Sequence, residues 1–327
     1  MKDEVAVAAG PAELGEDLQE FSFESPGIAG AVQRLKERAI EAVLFVCGAS
    51  SIVVTLGIVG MLVYESIPFF RAVPIRDFLF DTQWTPTFAN PRYGILPLLS
   101  GTLVTTLVAL VVAVPVGTIS AVWLSEYAAG RLREILKPVL ELLSAVPTVV
   151  YGYFALITVT PILRSVLAVF GVDLPGFNML SAGVVMGIMI IPYVASLSED
   201  ALRAVPMSLR EGSFAAGATR MQTAWRVVVP SAFSGITAAY ILGIARAIGE
   251  TMIVAIAAGQ QPQLTFNPTS QGMTITAYIV QISKGDTPHG SIGYQTIFAA
   301  GLTLMLLTLA FNVGGQLIRK RYREAYA

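Results

Sequence analysis

The chain has 327 residues, of which 54% are hydrophobic and only 13% are charged, and its mean hydropathy is +0.68. Soluble domains carry about 25% charged residues, so this chain has too few charges to cover a water-exposed globule of its size. A single cysteine and a single histidine exclude an intrachain disulfide and a zinc site built from Cys and His side chains. The composition therefore indicates an integral membrane protein.

Six stretches are apolar and long enough to cross a bilayer, which takes roughly 20 residues of helix. The predicted spans, in chain order, are Ala42–Tyr64, Leu96–Leu124, Leu142–Leu163, Asn178–Ser198, Ser231–Ala258 and Gln295–Ile318. The fifth span differs from the others because it contains two charged residues, Arg246 and Glu250. The expected fold class is an all-α integral membrane protein with six transmembrane helices.

Basic residues are distributed unevenly among the connections between these spans. Of the 21 Lys and Arg residues, 15 lie in the N-terminal segment, the connections after the second and fourth spans, and the C-terminal tail. Cytoplasmic loops are enriched in Lys and Arg, so both termini are predicted to be cytoplasmic. The first 24 residues contain seven acidic residues and one Lys, and residues 1–34 are predicted to form a disordered acidic cytoplasmic tail.

The remaining chain is expected to have two parts. Residues 35–95 would contain the first transmembrane helix and an outward loop. Residues 96–327 would form a five-helix core that includes a cytoplasmic loop at 199–230. Within the fourth span, Gly183 and Gly187 form a G-x-x-x-G pattern that permits close approach of a neighbouring helix.

Sequence motifs of enzymatic chemistry are absent from the chain. There is no phosphate-binding G-x-x-x-x-G-K-[ST] loop, since none of the five Lys residues follows a Gly, and there is no G-x-S-x-G nucleophile motif. The chain is therefore predicted not to be an enzyme, with no cofactor, no metal site and no catalytic residue. Active transport would need an ion gradient or a separate ATPase subunit.

The connection between the fourth and fifth spans is the most informative loop. It contains Arg210–Gly217, which predicts a short helix of small residues with a glycine turn, and Val227–Pro230, where a second amphipathic stretch is predicted to be ended by Pro230. Small side chains on a protruding helix suit insertion into a groove of a partner protein. An interfacial helix lying on the membrane would carry a similar pattern, so physical chemistry alone leaves both interpretations open.

This connection resembles the EAA loop of ABC-importer permeases, whose pattern is E-A-A-x3-G-x9-I-x-L-P. Glu211 occupies the Glu position, Gly217 follows six residues later, and Pro230 follows thirteen residues after that. The two Ala of the pattern are replaced by Gly212 and Ser213, which are also small. The resemblance implies that Glu211–Gly217 forms a coupling helix that docks into an ATPase subunit, with Glu211, Gly212, Ser213, Gly217 and Pro230 as coupling residues.

Three further regions resemble the permeases of phosphate ABC importers, and the Glu250-Thr251-Met252 ending of the third resembles the PstC-type subunit more than its PstA-type partner. They are Tyr93–Pro97 with the adjoining Gly101–Thr106, Val146–Gly152, and Ala245–Met252. The resemblance implies the type I ABC-importer permease fold, location in the inner membrane, and phosphate import by alternating access.

The same resemblance implies the partners of such a permease. These are a PstA-like permease subunit, two ATPase subunits, a phosphate-binding protein at the outer face, and membrane lipid; no nucleic acid is expected. A permease for another oxyanion or small solute is an alternative function, and an ATPase-independent transporter is a more distant one.

Arg246 and Glu250 are the candidate residues of the substrate pathway. Arg246 follows Pro230 by sixteen residues, about 24 Å of helix, which places it near the middle of the bilayer. An intramembrane Arg is costly and usually faces a bundle interior or a water-filled path. Glu250, four residues later, would share its helix face.

Two interpretations of this pair stay open. The pair could neutralise itself and pack the helix bundle. Alternatively, the Arg246 guanidinium could bind phosphate oxygens while Glu250 positions it and keeps the anion from being trapped. The resemblance favours the second interpretation, because phosphate permeases carry an Arg and a Glu in this motif.

Overall fold

The computed structural model describes residues 28–285 and 287–321, and within these ranges the chain is helical apart from loops and two isolated β-bridges. The helices are α1 (Ile28–Ala72), α2 (Ile75–Phe80), α3 (Leu96–Glu126), α4 (Gly130–Ser144), α5 (Thr148–Phe154), α6 (Thr160–Ala168), α7 (Met179–Arg203), α8 (Met207–Ala215), α9 (Arg220–Thr223), α10 (Val229–Ser231), α11 (Phe233–Ile248), α12 (Met252–Ala257), α13 (Ile275–Lys284) and α14 (Ile292–Arg321). Two π-helical segments interrupt this series, π1 (Ala155–Val159) between α5 and α6 and π2 (Ala224–Val228) between α9 and α10.

Within the described residues, five helical segments are long and apolar enough to cross a membrane, and a bent pair of helices supplies a sixth. The predicted count of six spans is therefore confirmed when the bent pair is taken as one span. The second and fourth spans begin within one residue of their predicted starts, at Leu96 and Met179. Asn178, which precedes α7, accepts a hydrogen bond from the Ser181 N–H and caps that helix.

The predicted start of the third span, Leu142, is wrong. Residues up to Ser144 belong to α4, the chain leaves helical geometry before Pro147, and α5 begins at Thr148. Proline lacks an N–H and disfavours helical geometry in the preceding residue, so Pro147 separates the two helices. The amphipathic helix α4 was not anticipated from the sequence, because its apolar residues were assigned partly to the span that follows.

The predicted fifth span, Ser231–Ala258, is not one continuous helix. The segments Arg220–Ser231 and Phe233–Ile248 meet at an angle of 71°. The chain leaves helical geometry again after Ile248 before α12 begins at Met252. The first break is at the apolar Ala232, and the second, at residues 249–251, is only three residues long between apolar helices, so hydropathy alone predicted a single span.

The N-terminal helix begins earlier than the sequence indicated. The predicted disordered tail, 1–34, lies outside the described residues as far as residue 27, but from Ile28 onward the backbone is helical. Strong helix formers follow, and the Gln33 amide donates to the Glu37 carboxylate one turn later, at 3.3 Å.

By their contacts, the residues divide into two units within α1, between Ile58 and Val59. In the first unit, α1 exposes apolar side chains such as Leu44 and Phe45. The second unit contains the remaining helices. Its largest core cluster is formed by residues of α3, α7, α11 and α12, together with side chains of α5 and π1.

The contact between α3 and α7 depends on glycine. A Cβ atom at Gly187 would lie 2.8 Å from the Ala109 carbonyl oxygen, and one at Gly183 would lie 2.7 Å from the Val108 Cβ. Both distances are shorter than van der Waals contact, so only glycine fits at this spacing. The close helix approach predicted from the G-x-x-x-G pattern is confirmed.

Gly187→Leu is expected to separate α3 from α7 and to destabilise the protein by at least about 1–3 kcal/mol, the usual cost of overpacking. The matched control is Gly60→Leu in α1, where an added Cβ meets no atom within 4 Å. The apparent Tm of the purified protein measures both effects. An equal Tm for the two variants would contradict the role assigned to Gly187.

Candidate translocation and coupling sites

The predicted coupling segment is a helix, a glycine turn and a second helix. Gly217 lies two residues after the end of α8 and has a φ of +82°. Its N–H donates to the Phe214 carbonyl at 2.9 Å, and the Ala218 N–H donates to the Ser213 carbonyl at 3.1 Å. This pair of bonds is the Schellman motif, which satisfies the last carbonyls of a helix and requires a left-handed residue at the turn.

The second helix of this hairpin is capped by its own side chains. Thr219 Oγ1 accepts from the Gln222 N–H, and the Gln222 side chain accepts from the Thr219 N–H, which forms a capping box. The Ser213 and Thr223 hydroxyls are 2.9 Å apart and connect the two helices. The hairpin is thereby held in one shape, with Glu211 exposed on its surface.

Pro230 does not end the amphipathic stretch that precedes it. The chain remains helical from α9 through π2 to α10, with Pro230 in the first turn of α10, and it bends only at Ala232. Pro161 likewise lies in the first turn of the helix that follows a π-helical segment, α6 after π1. Because proline donates no backbone hydrogen bond, a wider turn before it is one way to accommodate the missing donor.

The glycine turn can be tested with two glycines of the same hairpin. Gly217→Val should destabilise the hairpin by about 1–2 kcal/mol, because a β-branched residue disfavours positive φ. Gly212→Ala should be neutral or stabilising, because Gly212 lies inside α8 with no atom within 4 Å of an added Cβ. The apparent Tm of the purified protein measures both effects. If Gly212→Ala lowers Tm as much as Gly217→Val, the turn is not the sensitive element.

Arg210 anchors α8 to the rest of the protein. Its Nη2 lies 3.0 Å from Oε1 of Glu126, and its Nε lies 3.4 Å from the other carboxylate oxygen. Its Nη1 and Nη2 also donate to the carbonyls of Val205 and Leu202, at 2.6 and 2.9 Å. Both charged side chains are only 10% exposed. This guanidinium therefore connects α8 to the last residue of α3 and to the end of α7.

A second charge cluster connects α4 to α7. Glu199 is buried, and its two carboxylate oxygens lie 2.7 Å from Arg133 Nε and 3.0 Å from Lys137 Nζ. Lys137 also donates to Asp200. Burial alone would lower the pKa of Lys137, but its hydrogen bonds to Asp200 and Glu199 and their negative charges outweigh this effect and raise the pKa. The cluster fixes α4 against the end of α7.

Sequence reasoning did not identify these anchoring residues. Arg210 directly precedes the Glu of the predicted coupling motif, and Glu126 and Glu199 end two apolar spans. Charged residues at span ends are ordinarily solvated, so nothing in the sequence distinguished these from others.

Arg246, the first candidate pathway residue, lies in the last turn of α11 and is exposed. Its guanidinium carbon lies 5.9 Å from the ring centroid of Tyr193 on α7. A cation over an aromatic face at this distance is attracted by the ring, which leaves the N–H donors available to an anion. Within the described ranges, no carboxylate forms an ion pair with Arg246.

Glu250, the second candidate, does not share a helix face with Arg246. It is buried in the break between α11 and α12, where its Oε1 accepts from the N–H groups of Met252 and Ile253, at 3.1 and 3.4 Å. Its backbone carbonyl accepts from Thr276 at 2.7 Å. A carboxylate at a helix N-terminus satisfies free N–H groups and interacts favourably with the helix dipole. Glu250 therefore stabilises the break in span five.

Relatives of known description support a transport function. The chain is 35% identical over 270 residues to a probable ABC transporter permease protein of Bacillus subtilis, covering 83% of this chain and 84% of the relative. It is 33% identical over 322 residues to a phosphate transport system permease protein of Mycobacterium tuberculosis, covering 88% and 95%. A protein of the same description from Xylella fastidiosa is 32% identical, covering 75% and 79%.

Solved structures support the fold. A bacterial ABC transporter involved in the import of the acidic polysaccharide alginate contains a chain that matches with a TM-score of 0.60 at 14% identity, covering 89% of this chain and all of that one. A chain of the MetNI methionine ABC transporter matches with a TM-score of 0.50 at 19% identity, covering 71% and 95%. At such identities the likeness concerns the fold, which is that of ABC-importer permeases.

The family model described as the binding-protein-dependent transport system inner membrane component matches residues 113–324. This range contains both charge clusters, the coupling hairpin and Arg246. The match spans well over half of the chain, and the curated relatives are similar along most of their length. The chain is a multi-pass membrane protein that belongs to this family of importer permease subunits, which function with an ATPase and a substrate-binding protein.

Proposed function

We propose that this chain is a permease subunit for inorganic phosphate and that Arg246 binds the anion on its way across the membrane. The observation that carries the proposal is an exposed guanidinium, on a helix of the fifth span, that no carboxylate of the described chain neutralises. Guanidinium donors match phosphate oxygens in geometry and charge. The description of two relatives as phosphate transport permeases supports the same substrate.

The coupling hairpin is proposed to transmit the motion of an ATPase subunit. Glu211, Gly212 and Ser213 on α8 would enter a groove of that subunit, and the turn at Gly217 would fix the direction of α8. The buried Arg210–Glu126 ion pair makes this transmission physically reasonable, because a force on α8 would act on α3 and α7 directly. Since α11 packs on α7, movement there would change the surroundings of Arg246.

The proposed assembly contains a PstA-like permease subunit, two ATPase subunits and a phosphate-binding protein at the outer face of the inner membrane. The distribution of Lys and Arg among the connections supports cytoplasmic termini and a cytoplasmic coupling hairpin. Hydrolysis of ATP by the partner subunits would drive alternating access. The chain itself would perform no covalent chemistry.

The test is uptake of radioactive phosphate into proteoliposomes that contain the assembled complex, ATP and the binding protein. Phosphate uptake should depend on ATP and should be reduced by unlabelled phosphate more strongly than by sulfate or molybdate. Stronger competition by another oxyanion would assign the permease to that anion. Uptake that continues without ATP would contradict coupling to an ATPase.

A further inference from the structure

A cavity of about 670 Å³ lies beside the coupling hairpin, away from Arg246. It is bounded by the end of α3, the start of α4, the end of α7, α8 and the start of α9. Its lining includes four arginines, Arg133, Arg203, Arg210 and Arg220, and one carboxylate, Glu126. Guanidinium groups therefore outnumber carboxylates four to one in the lining of this cavity.

Two of the four arginines are neutralised by carboxylates. Arg210 pairs with Glu126, and Arg133 pairs with Glu199. Arg203 and Arg220 form no ion pair in the part of the chain that the structure describes. The cavity and its adjoining carboxylate therefore have an excess of about two positive charges, contributed by two arginines that line the same cavity.

We propose that this cavity is a second anion site, which binds a phosphate-type oxyanion between Arg203 and Arg220. A doubly charged phosphate group would balance the excess charge, and each guanidinium offers two parallel N–H donors to its oxygens. The bound group could be free inorganic phosphate, whose dianion would balance both charges, or the phosphodiester headgroup of an anionic phospholipid, which would balance one of them; in both, non-bridging phosphate oxygens accept from the guanidinium N–H groups. The proposal does not depend on which solute the permease transports.

Binding at this place would have a structural consequence. Arg203 ends α7, and Arg220 begins α9 on the far side of the glycine turn. An anion held by both would connect the end of α7 to the second helix of the coupling hairpin, in addition to the Arg210–Glu126 pair that holds the first. The hairpin would then be more rigid when the site is occupied.

The experiment measures the apparent Tm of the assembled complex in nanodiscs, in an Arg246→Gln background that removes the proposed pathway site. One arm titrates inorganic phosphate in phosphatidylcholine nanodiscs at constant ionic strength. The other arm compares phosphatidylcholine with phosphatidylglycerol nanodiscs in a buffer without phosphate. A rise of Tm in the first arm identifies free phosphate, and a rise in the second identifies a lipid headgroup.

Arg203→Gln and Arg220→Gln should each weaken the response about tenfold, the usual loss for one charge-assisted hydrogen-bonding group. Arg226→Gln, an exposed arginine of π2 outside the cavity, should respond like the parent. Because Arg203 and Arg220 are exposed and form no ion pair within the described residues, their variants are expected to fold normally, and co-purification of the ATPase subunits checks their assembly. The proposal is overturned if neither arm raises Tm, or if the Arg203 and Arg220 variants respond like Arg226→Gln.

Discussion

Arg246→Gln is expected to reduce phosphate uptake by roughly 10- to 100-fold. Glutamine keeps a polar side chain of similar reach but loses the charge, and a hydrogen bond to a charged group contributes about 1.5–3 kcal/mol. The loss should occur without a loss of assembly, because Arg246 is exposed and its described contact is the weak interaction with the Tyr193 ring. Uptake into proteoliposomes, normalised to the amount of complex, is the measurement.

Arg226→Gln is the matched control, since it removes an exposed arginine from the same chain outside the proposed pathway. It should transport phosphate at the parental rate. Arg246→Lys should retain part of the activity, because it keeps the charge but loses the planar fork of donors. Wild-type uptake by Arg246→Gln would remove Arg246 from the pathway and leave cation–π packing against Tyr193 as its role.

Arg210→Met is expected to have the largest effect on coupling. It leaves the Glu126 carboxylate without its cation. Removing one partner of a buried ion pair destabilises a protein by about 3–5 kcal/mol. We expect a destabilisation near the lower value, because both side chains keep some contact with solvent. It also leaves the carbonyls of Leu202 and Val205 without their side-chain donor. Loss of stimulated ATP hydrolysis, together with a lower Tm, is the expected result.

The double variant Arg210→Met with Glu126→Met separates the ion pair from the general effect of mutation. Because the second substitution removes the unpaired carboxylate, the double variant should be more stable than Arg210→Met alone. Glu211→Gln on the exposed surface of α8 should leave Tm unchanged. This comparison distinguishes the anchoring of α8 by Arg210 from the proposed docking of Glu211 into an ATPase subunit. A single variant Arg210→Met with normal Tm and normal stimulated hydrolysis would contradict the anchoring role.

The coupling segment was largely predictable because its signal is local. The spacing of Glu211, Gly217 and Pro230 indicated a short helix and a turn, and the structure places a Schellman motif at Gly217. The expectation that Pro230 ends the preceding amphipathic stretch was wrong, whereas its assignment as a coupling residue stays a prediction. Local sequence indicates that a proline interrupts helical hydrogen bonding, but it does not show whether the chain ends the helix there or widens a turn and continues.

The candidate pathway was predictable only in part. An arginine within an apolar span is conspicuous in any sequence, and Arg246 was identified for that reason. The pairing with Glu250 assumed an unbroken helix, on which residues four apart share a face. The helix ends at Ile248, and the Glu250 carboxylate instead caps α12. A capping carboxylate and a pairing carboxylate have the same spacing in the sequence, and only the backbone conformation separates them.

The sequence by itself determined that this chain crosses a membrane several times and that a short glycine-containing helix lies between late spans. Both follow from composition and local spacing, because the transfer of apolar residues into lipid and the turn at a glycine depend on near neighbours. The tertiary structure alone decided where the helices break and which charges meet. Arg210 and Glu126 are 84 residues apart along the chain, and the folded helices bring them within 3.0 Å. Long-range pairs of this kind leave no periodic pattern in the sequence. Their desolvation penalty and their Coulomb attraction arise only when packing removes both charges from water.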